Sequence, residues 1–159
     1  MKRQNLHNAE YAKKDIQELF SKDLLAGSLV KEINYLSSCI AYNGGNGNFN
    51  IQKLVADIQF SSVKAVLPID INEDGKTDLV LGGNEFGFQP QLGRLDASEG
   101  SVLVNNGKGN FRILDKALSG IALDGQIRDI VLVRKRTTQN LLFLRNNEYP
   151  VLYQPNQTK

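Results

Sequence analysis

The sequence has few of the residues on which much enzyme and metal chemistry depends. Its 159 residues include one cysteine, Cys39, and one histidine, His7. A single cysteine excludes an intrachain disulfide and any zinc site built from several cysteines. A single histidine leaves little scope for histidine-based catalysis or metal binding. Cys39 stands beside an apolar run, and we predict that it is a small buried hydrophobic residue.

The sequence also lacks a long apolar stretch and a strong excess of one charge. No run approaches the roughly 18 apolar residues that a membrane-spanning helix needs. The basic start contains no apolar segment of the kind that secretory signals carry. Lys and Arg total 19 against 17 for Asp and Glu, a net charge of +2, which is far below the basic excess of a dedicated nucleic-acid-binding domain. We therefore expect one globular domain that has no membrane span and does not bind nucleic acid.

Glycine, by contrast, is frequent: 14 glycines gather mostly with asparagine between short apolar runs. Such runs between Gly and Asn turns are typical of antiparallel β-structure. The predicted strands are Val63–Ile69, Asp78–Leu81, Ser101–Val104, Ile127–Val133, Asn140–Arg145 and Val151–Tyr153.

The first part of the chain has a different pattern. Apolar residues recur at helical spacing over Ala9–Phe20, which predicts a helix. Ser21 is placed to cap a second short helical turn that Gly27 would end. The sequence therefore predicts an N-terminal helical segment over residues 1–35 and an all-β part over residues 36–155.

An internal repeat relates two stretches of the β part. Residues 43–49 (NGGNGNF) recur as residues 105–111 (NNGKGNF), with an offset of 62 and five of seven positions identical. Gly and Asn suit a tight strand connection because both adopt positive φ. A 62-residue unit is long enough for a four-stranded sheet, and β-propellers are built from four-stranded blades. We therefore expect about two antiparallel blades of an incomplete propeller ring.

Residues 70–78 (DINEDGKTD) carry the clearest chemical signal. Oxygen-bearing side chains occupy positions 1, 3, 5 and 9 around a glycine at position 6; they are Asp70, Asn72, Asp74 and Asp78. Lys76, at position 7, offers its backbone carbonyl. Calcium takes six to eight hard oxygen ligands, which alternate residues of a tightly curved loop can supply. Position 12 is Leu81 and not the glutamate of an EF-hand, so we predict a calcium loop within a β-hairpin; an Asx-rich turn without metal is the alternative.

The second unit has no counterpart of this loop. At the same offset it carries Arg134-Lys135-Arg136, and three positive charges exclude a cation there. A solvated hairpin turn is the favoured interpretation of this triplet, and an anion or partner contact is the alternative.

A second polar cluster, residues 93–100, is the other candidate for chemistry. Asp96 and Glu99 could serve a glycan-processing enzyme, which needs two opposed carboxylates at one cleft. Arg94 could instead clamp one of these carboxylates and stiffen the loop, or form a ligand site with them. Because nothing in the sequence places the two carboxylates across a cleft, the sequence favours a non-catalytic protein.

The motifs together resemble FG-GAP (VCBS) repeats, which occur in integrin α-subunit propellers and in many bacterial envelope proteins. The residues that carry the resemblance are DINEDGKTDLVLGGN, the stretch from Gly82 to Phe111, the strand Gly125–Ile130 and Arg145–Asn147. The similarity is closer to bacterial VCBS-repeat proteins that resemble cartilage acidic protein (ASPIC/UnbV type), and it covers roughly residues 10–154.

The resemblance implies a calcium-binding propeller segment with the ligands Asp70, Asn72, Asp74, Lys76 (carbonyl) and Asp78. It also implies a periplasmic, outer-membrane-associated or extracellular parent protein. For this segment we expect a non-catalytic role in protein–protein or glycan interaction. Since an open propeller leaves blade faces uncovered, we further expect self-association, or a place for these blades within a longer chain.

Overall fold

A computed structural model describes residues 8–135 and 138–155 of the chain. The chain divides into two compact units, Met1–Leu36 and Ser37–Lys159. Among these described residues, the first unit holds three short helices and the second holds the strands.

The helices of the first unit are α1 (Asn8–Tyr11), α2 (Ile16–Leu19) and α3 (Lys22–Ala26). The single helix predicted over Ala9–Phe20 is therefore divided in two. The division follows from Asp15, whose side chain accepts the backbone N–H of Glu18 while the Glu18 side chain accepts the N–H of Asp15. This capping box starts a new helix at Ile16. The predicted cap at Ser21 and the predicted end at Gly27 are both confirmed.

Within its described part, the second unit contains three antiparallel sheets. Its strands are β1 (Cys39–Gly45), β2 (Asn48–Lys53), β3 (Val63–Ile69), β4 (Asp78–Gly83), β5 (Ser101–Asn105), β6 (Phe111–Ile113), β7 (Ile127–Lys135), β8 (Thr138–Arg145) and β9 (Val151–Tyr153). The N-terminal hairpin is β1-β2, the central sheet has the order β3-β4-β5-β6, and the C-terminal sheet has the order β7-β8-β9. Two 3-10 turns, Ala56–Phe60 and Pro90–Leu92, and a short helix α4 (Lys116–Ser119) lie between strands.

The predicted β class is confirmed, but the division into two four-stranded units is wrong. The sheets have two, four and three strands, and the central sheet joins β3 and β4 of the first repeat unit to β5 and β6 of the second. The repeat itself is visible in the backbone. Gly45 and Gly47 have φ of 85° and 78°, and their equivalents Gly107 and Gly109 have 85° and 74°. The two copies of the motif thus form equivalent hairpin turns, β1-β2 and β5-β6.

The main core lies between the central and C-terminal sheets. One face of the central sheet, which includes Val80 and Val102, packs with Ile130, Leu141 and Phe143 of the C-terminal sheet. The other face of the central sheet, with Leu81 and Leu103, packs against Ile58 of the first 3-10 turn; Leu54, Val55, Phe111 and Ile113 pack around this second cluster. Both faces of the central sheet, which contains the β3-β4 hairpin, are therefore packed against other elements.

Cys39 departs from its predicted environment, because the structure places it exposed on β1. Its strand belongs to a two-stranded sheet, and Cys39 pairs there with Lys53 at the open end of the hairpin. The prediction of a buried small hydrophobic residue is therefore wrong: the apolar neighbour Ile40 points to the opposite face of the strand.

Candidate calcium-binding loop

The candidate calcium loop is the connection between β3 and β4. Ile69 and Asp78 are the last paired residues of the two strands, so the intervening chain must turn back within eight residues. Gly75, with φ of 82°, and Glu73, with φ of 58°, supply the left-handed backbone that this turn needs. Glu73 and Thr77, whose side chains are not among the predicted ligands, are exposed.

The side chains predicted as ligands turn back over the loop and accept its backbone N–H groups. Asp70 accepts from Asp74 at 3.1 Å through Oδ1 and from Gly75 at 2.8 Å through Oδ2. The Asn72 amide oxygen accepts from the same Asp74 N–H at 3.2 Å. The Asp70 and Asn72 oxygens therefore lie close together, on the inner side of the turn.

Asp78 closes the loop from its other end and has no exposed surface. Its Oδ2 accepts the N–H of Ile71 at 3.2 Å, and its Oδ1 accepts the N–H of Asn105 at 2.8 Å. Asn105 in turn donates its side-chain amide to the Thr77 carbonyl at 3.1 Å. A buried carboxylate is tolerated where such donors satisfy it, and this one ties the loop to the end of β5.

Asp74 has a charged partner of its own in the loop. Lys76 Nζ lies 2.7 Å from Asp74 Oδ2, and the Lys76 N–H donates to Asp74 Oδ1 at 2.9 Å. Both hydrogen bonds from Lys76 lower the pKa of Asp74 below its ordinary value, and the side-chain bond has the larger effect. The aliphatic part of the Lys76 side chain lies against Gly107. A Cβ added to Gly107 would come within 2.8 Å of Lys76 Cε.

The donor set suits calcium chemically, because it consists of three carboxylates, an amide oxygen and a backbone carbonyl, all hard ligands. The carboxylates are nevertheless spread along the loop and satisfied by N–H groups. Throughout residues 8–135 and 138–155, no three Asp, Glu, His or Cys side chains converge as a metal-holding group. A calcium ion at this loop would have to draw Asp74 away from the Lys76 ammonium group.

The polar cluster at residues 93–100 does not form the predicted arrangements. The Arg94 guanidinium stacks on the Phe86 ring, 4.9 Å from its centroid, while Glu99 pairs with Lys116 at 2.7 Å. Glu99 and Lys116 line a cavity of about 200 Å³ beneath the first 3-10 turn, whereas the exposed Asp96 does not line it. The structure therefore does not bring Asp96 and Glu99 to one cleft.

Two residues of the basic triplet, Arg134 and Lys135, lie on β7. Arg134 and Lys135 are exposed at the end of β7 and pair with Gln139 and Thr138 of β8. Arg136 lies outside the described residues.

Asn84 joins several loops, a role that its sequence context indicates only weakly. It is 1% exposed with φ of 84°. Its Nδ2 donates to the carbonyls of Ser98 at 2.7 Å and Gly125 at 2.8 Å. Its Oδ1 accepts from the Ser98 N–H at 2.9 Å and from the Ser61 hydroxyl at 2.8 Å. The one available signal was an asparagine directly after two glycines at the end of a strand.

Comparisons with known proteins add no relative. No protein-family model matches the chain, and no curated protein or solved structure does so either. Among the helices of the described residues, none is both long and apolar enough to cross a membrane.

Proposed function

We propose that this chain is a non-catalytic, calcium-binding β-repeat segment of the FG-GAP/VCBS type. In this proposal, Asp70, Asn72, Asp74 and Asp78 bind the ion through side chains, and Lys76 binds it through its carbonyl. The parent protein would belong to the cell envelope or be secreted, and the sheets would contact a protein or glycan partner.

One observation carries the calcium proposal: the oxygen atoms of Asp70 and Asn72 are already folded inward onto one N–H group. Asp78 approaches the same loop from its other end and bonds to Ile71. Because the hairpin holds these donors near one another, little chain entropy remains to be lost on binding. Ligands from a single hairpin also leave little room for a substrate, which favours a structural ion over a catalytic one.

The test is a calcium titration by calorimetry, combined with melting temperatures in calcium and in chelator. An ion that binds only the folded chain stabilises it by about 2.7 kcal/mol at a hundredfold excess over Kd. For a domain of this size that corresponds to a rise in Tm of roughly 5–10 °C. We expect this rise in the wild type and its loss in Asp74→Asn.

Two further variants sharpen the test. Asp96→Asn removes an exposed carboxylate outside the loop and should keep the full calcium response. Lys76→Met keeps the backbone carbonyl but removes the ammonium that competes for Asp74, so it should bind calcium more tightly than the wild type. Equal melting curves in calcium and chelator for the wild type would refute the proposal.

A further inference from the structure

A cavity of about 410 Å³ lies where the loop after β4 meets the start of β7 and the turn after β8. Two arginines line this cavity, Arg94 from the loop and Arg128 from β7. Two carboxylates, those of Glu85 and Glu148, line it as well. What the cavity can bind depends on which of these four charges already have a partner.

Both carboxylates of the cavity are paired with cations that do not line it. Glu85 Oε2 lies 2.8 Å from Lys64 Nζ, and Glu85 Oε1 accepts the Gly87 N–H at 2.9 Å. Glu148 Oε2 lies 2.6 Å from Arg145 Nη1. Because Lys64 and Arg145 are not part of the cavity wall, the negative charges of the cavity are balanced from outside it.

The two arginines are left without a close carboxylate. Arg128 Nη1 lies 4.0 Å from Glu85 Oε2, and its Nη2 makes a long hydrogen bond of 3.4 Å to the Gln126 amide oxygen. The Arg94 guanidinium stacks on the Phe86 ring, and within the described residues it makes no ion pair or hydrogen bond. A guanidinium that stacks through its face keeps its N–H donors free at the edge. The cavity therefore has an excess of positive charge.

Contacts on both sides hold the cavity in place. Glu85 and Leu95 exchange backbone hydrogen bonds at 2.8 and 2.9 Å, which closes the loop that carries Arg94. On the other side, Gln126 is 2% exposed; it accepts the Asn146 side-chain amide at 2.9 Å and donates to Glu85 at 3.3 Å. A site built in advance loses little chain entropy when a ligand binds.

We propose that this cavity binds a small organic anion, whose carboxylate or phosphate group is held by Arg94 and Arg128. The planar fork of guanidinium donors matches the oxygen atoms of either group in pairs. Such a group occupies the space of only a few water molecules, about 30 Å³ each. The remainder of the ligand therefore has room beside Asn147, an exposed amide residue of the cavity wall.

The anion site and the candidate calcium loop are separate. No residue of the cavity wall belongs to residues 70–78, and the two sites take ligands of opposite charge, so either proposal can fail alone. Arg94 and Arg128 are both exposed, and salt screens exposed charges. We therefore expect a dissociation constant in the millimolar range that rises with ionic strength.

The test is an NMR titration of the isotope-labelled full chain with sodium phosphate and, separately, with sodium succinate, at constant ionic strength and without calcium. At least one probe should shift the amide resonances of the cavity residues, and the tighter one identifies the ligand group as phosphate or carboxylate. Arg94→Met and Arg128→Met should each weaken binding about tenfold or more, because each removes a charge-assisted contact. Arg112→Met is the matched control: Arg112 is exposed on β6 outside the cavity, so this variant should bind like the wild type.

Two further variants separate anion binding from a structural role. Glu85→Gln removes a negative charge from the cavity and leaves Lys64 unpaired, so it should bind the probe more tightly than the wild type. Arg94→Lys keeps the charge but loses the planar fork, so its affinity should lie between those of the wild type and Arg94→Met. A structural role of the two arginines predicts neither result.

Circular dichroism identifies a variant that fails to fold, and the other arginine variant then decides the result. The proposal is wrong if neither probe shifts the cavity resonances at tens of millimolar concentration. It is equally wrong if the folded Arg94→Met and Arg128→Met bind the probe like the wild type. A loss of the same size in Arg112→Met would also overturn it, because the overall charge of the chain would then account for the binding.

Discussion

Replacement of Asn84 by alanine tests whether one buried side chain joins the loops of two sheets. Its amide makes four hydrogen bonds, to Ser61, to both backbone groups of Ser98 and to the Gly125 carbonyl. Ser98 precedes β5 of the central sheet, and Gly125 precedes β7 of the C-terminal sheet. Asn84→Ala removes all four bonds together and leaves their half-buried partners without a replacement.

The expected loss of stability follows from these bonds. A typical intramolecular hydrogen bond contributes about 1 kcal/mol net, so the loss of four bonds should cost about 3–5 kcal/mol. Alanine also tolerates the φ of 84° less well than asparagine, which adds roughly 1 kcal/mol. Folded domains are stable by only about 5–15 kcal/mol, so this loss is a large share of the total. In a domain of this size each kcal/mol lowers Tm by about 2–4 °C, so the fall in Tm should be about 10 °C or more.

The matched control is Asn147→Ala. Asn147 also has a positive φ, 57°, but its side chain is exposed, so its replacement should show the backbone term alone, about 2–4 °C. Thermal and urea unfolding of both variants give the comparison. Equal falls in Tm for the two variants would refute the view that the Asn84 bonds stabilise the junction between the sheets.

Three further predictions concern other parts of the second unit. A hydrogen bond from Lys64 at 2.8 Å, assisted by the Gly87 N–H and Arg128, lowers the pKa of Glu85 from 4.5 to about 2. A lowered pKa stabilises the folded state above pH 4.5, and this contribution is lost as the pH falls towards 2. The difference in Tm between the wild type and Glu85→Gln should therefore be largest near pH 7 and should shrink between pH 4.5 and 2. A difference in Tm that does not change with pH would contradict this prediction. Gly83→Ala should prevent stable folding because its Cβ would lie 1.8 Å from the Ser62 carbonyl oxygen. In the control Gly44→Ala the atom nearest to the new Cβ lies at 3.5 Å, so its Tm should change by no more than a few degrees. Similar expression and Tm for the two variants would count against the close approach of β4 to Ser62. Cys39 should react with one equivalent of a thiol reagent without denaturant, since it is exposed on β1, and reaction only after unfolding would show that it is buried.

The features that the sequence predicted well are those determined by neighbouring residues. The strands Val63–Ile69 and Val151–Tyr153 have their predicted bounds, because apolar runs between Gly and Asn turns are local signals. The two copies of the NG-rich motif form equivalent turns for the same reason. The inward fold of Asp70 and Asn72 also follows from spacing alone, since both side chains reach N–H groups within five residues.

The features that the sequence did not predict depend on contacts between distant residues. The offset of 62 shows that two units are related, but it does not show which strands pair, and the central sheet crosses the boundary between the units. The spacing places Asp78 at position 9 of its own loop and gives no sign that one of its oxygens accepts a hydrogen bond from Asn105, 27 residues away. Sequence proximity pairs Arg94 with the nearby carboxylates, whereas its position over Phe86 depends on how the intervening loop folds.

The second copy of the repeat motif connects the candidate calcium loop to the N-terminal hairpin. On one side, the Asn105 N–H of this motif donates to the buried Asp78 carboxylate. On the other side, the Tyr42 hydroxyl donates to the Gly109 carbonyl and the Gln52 side chain donates to Asn110 at 3.1 Å. The turn β5-β6 therefore lies between the loop and β1-β2, and touches both.

This arrangement explains why an ion at the loop would influence more than its own hairpin. If calcium fixes Asp78 and moves Lys76 off Asp74, the contacts of Asn105 and Gly107 with these residues change with it. The N-terminal hairpin has only two strands, and such a sheet is marginal without packing partners. It contacts the turn through Tyr42 and Gln52, so calcium bound at residues 70–78 would also stabilise this hairpin, although the hairpin supplies none of the ligands.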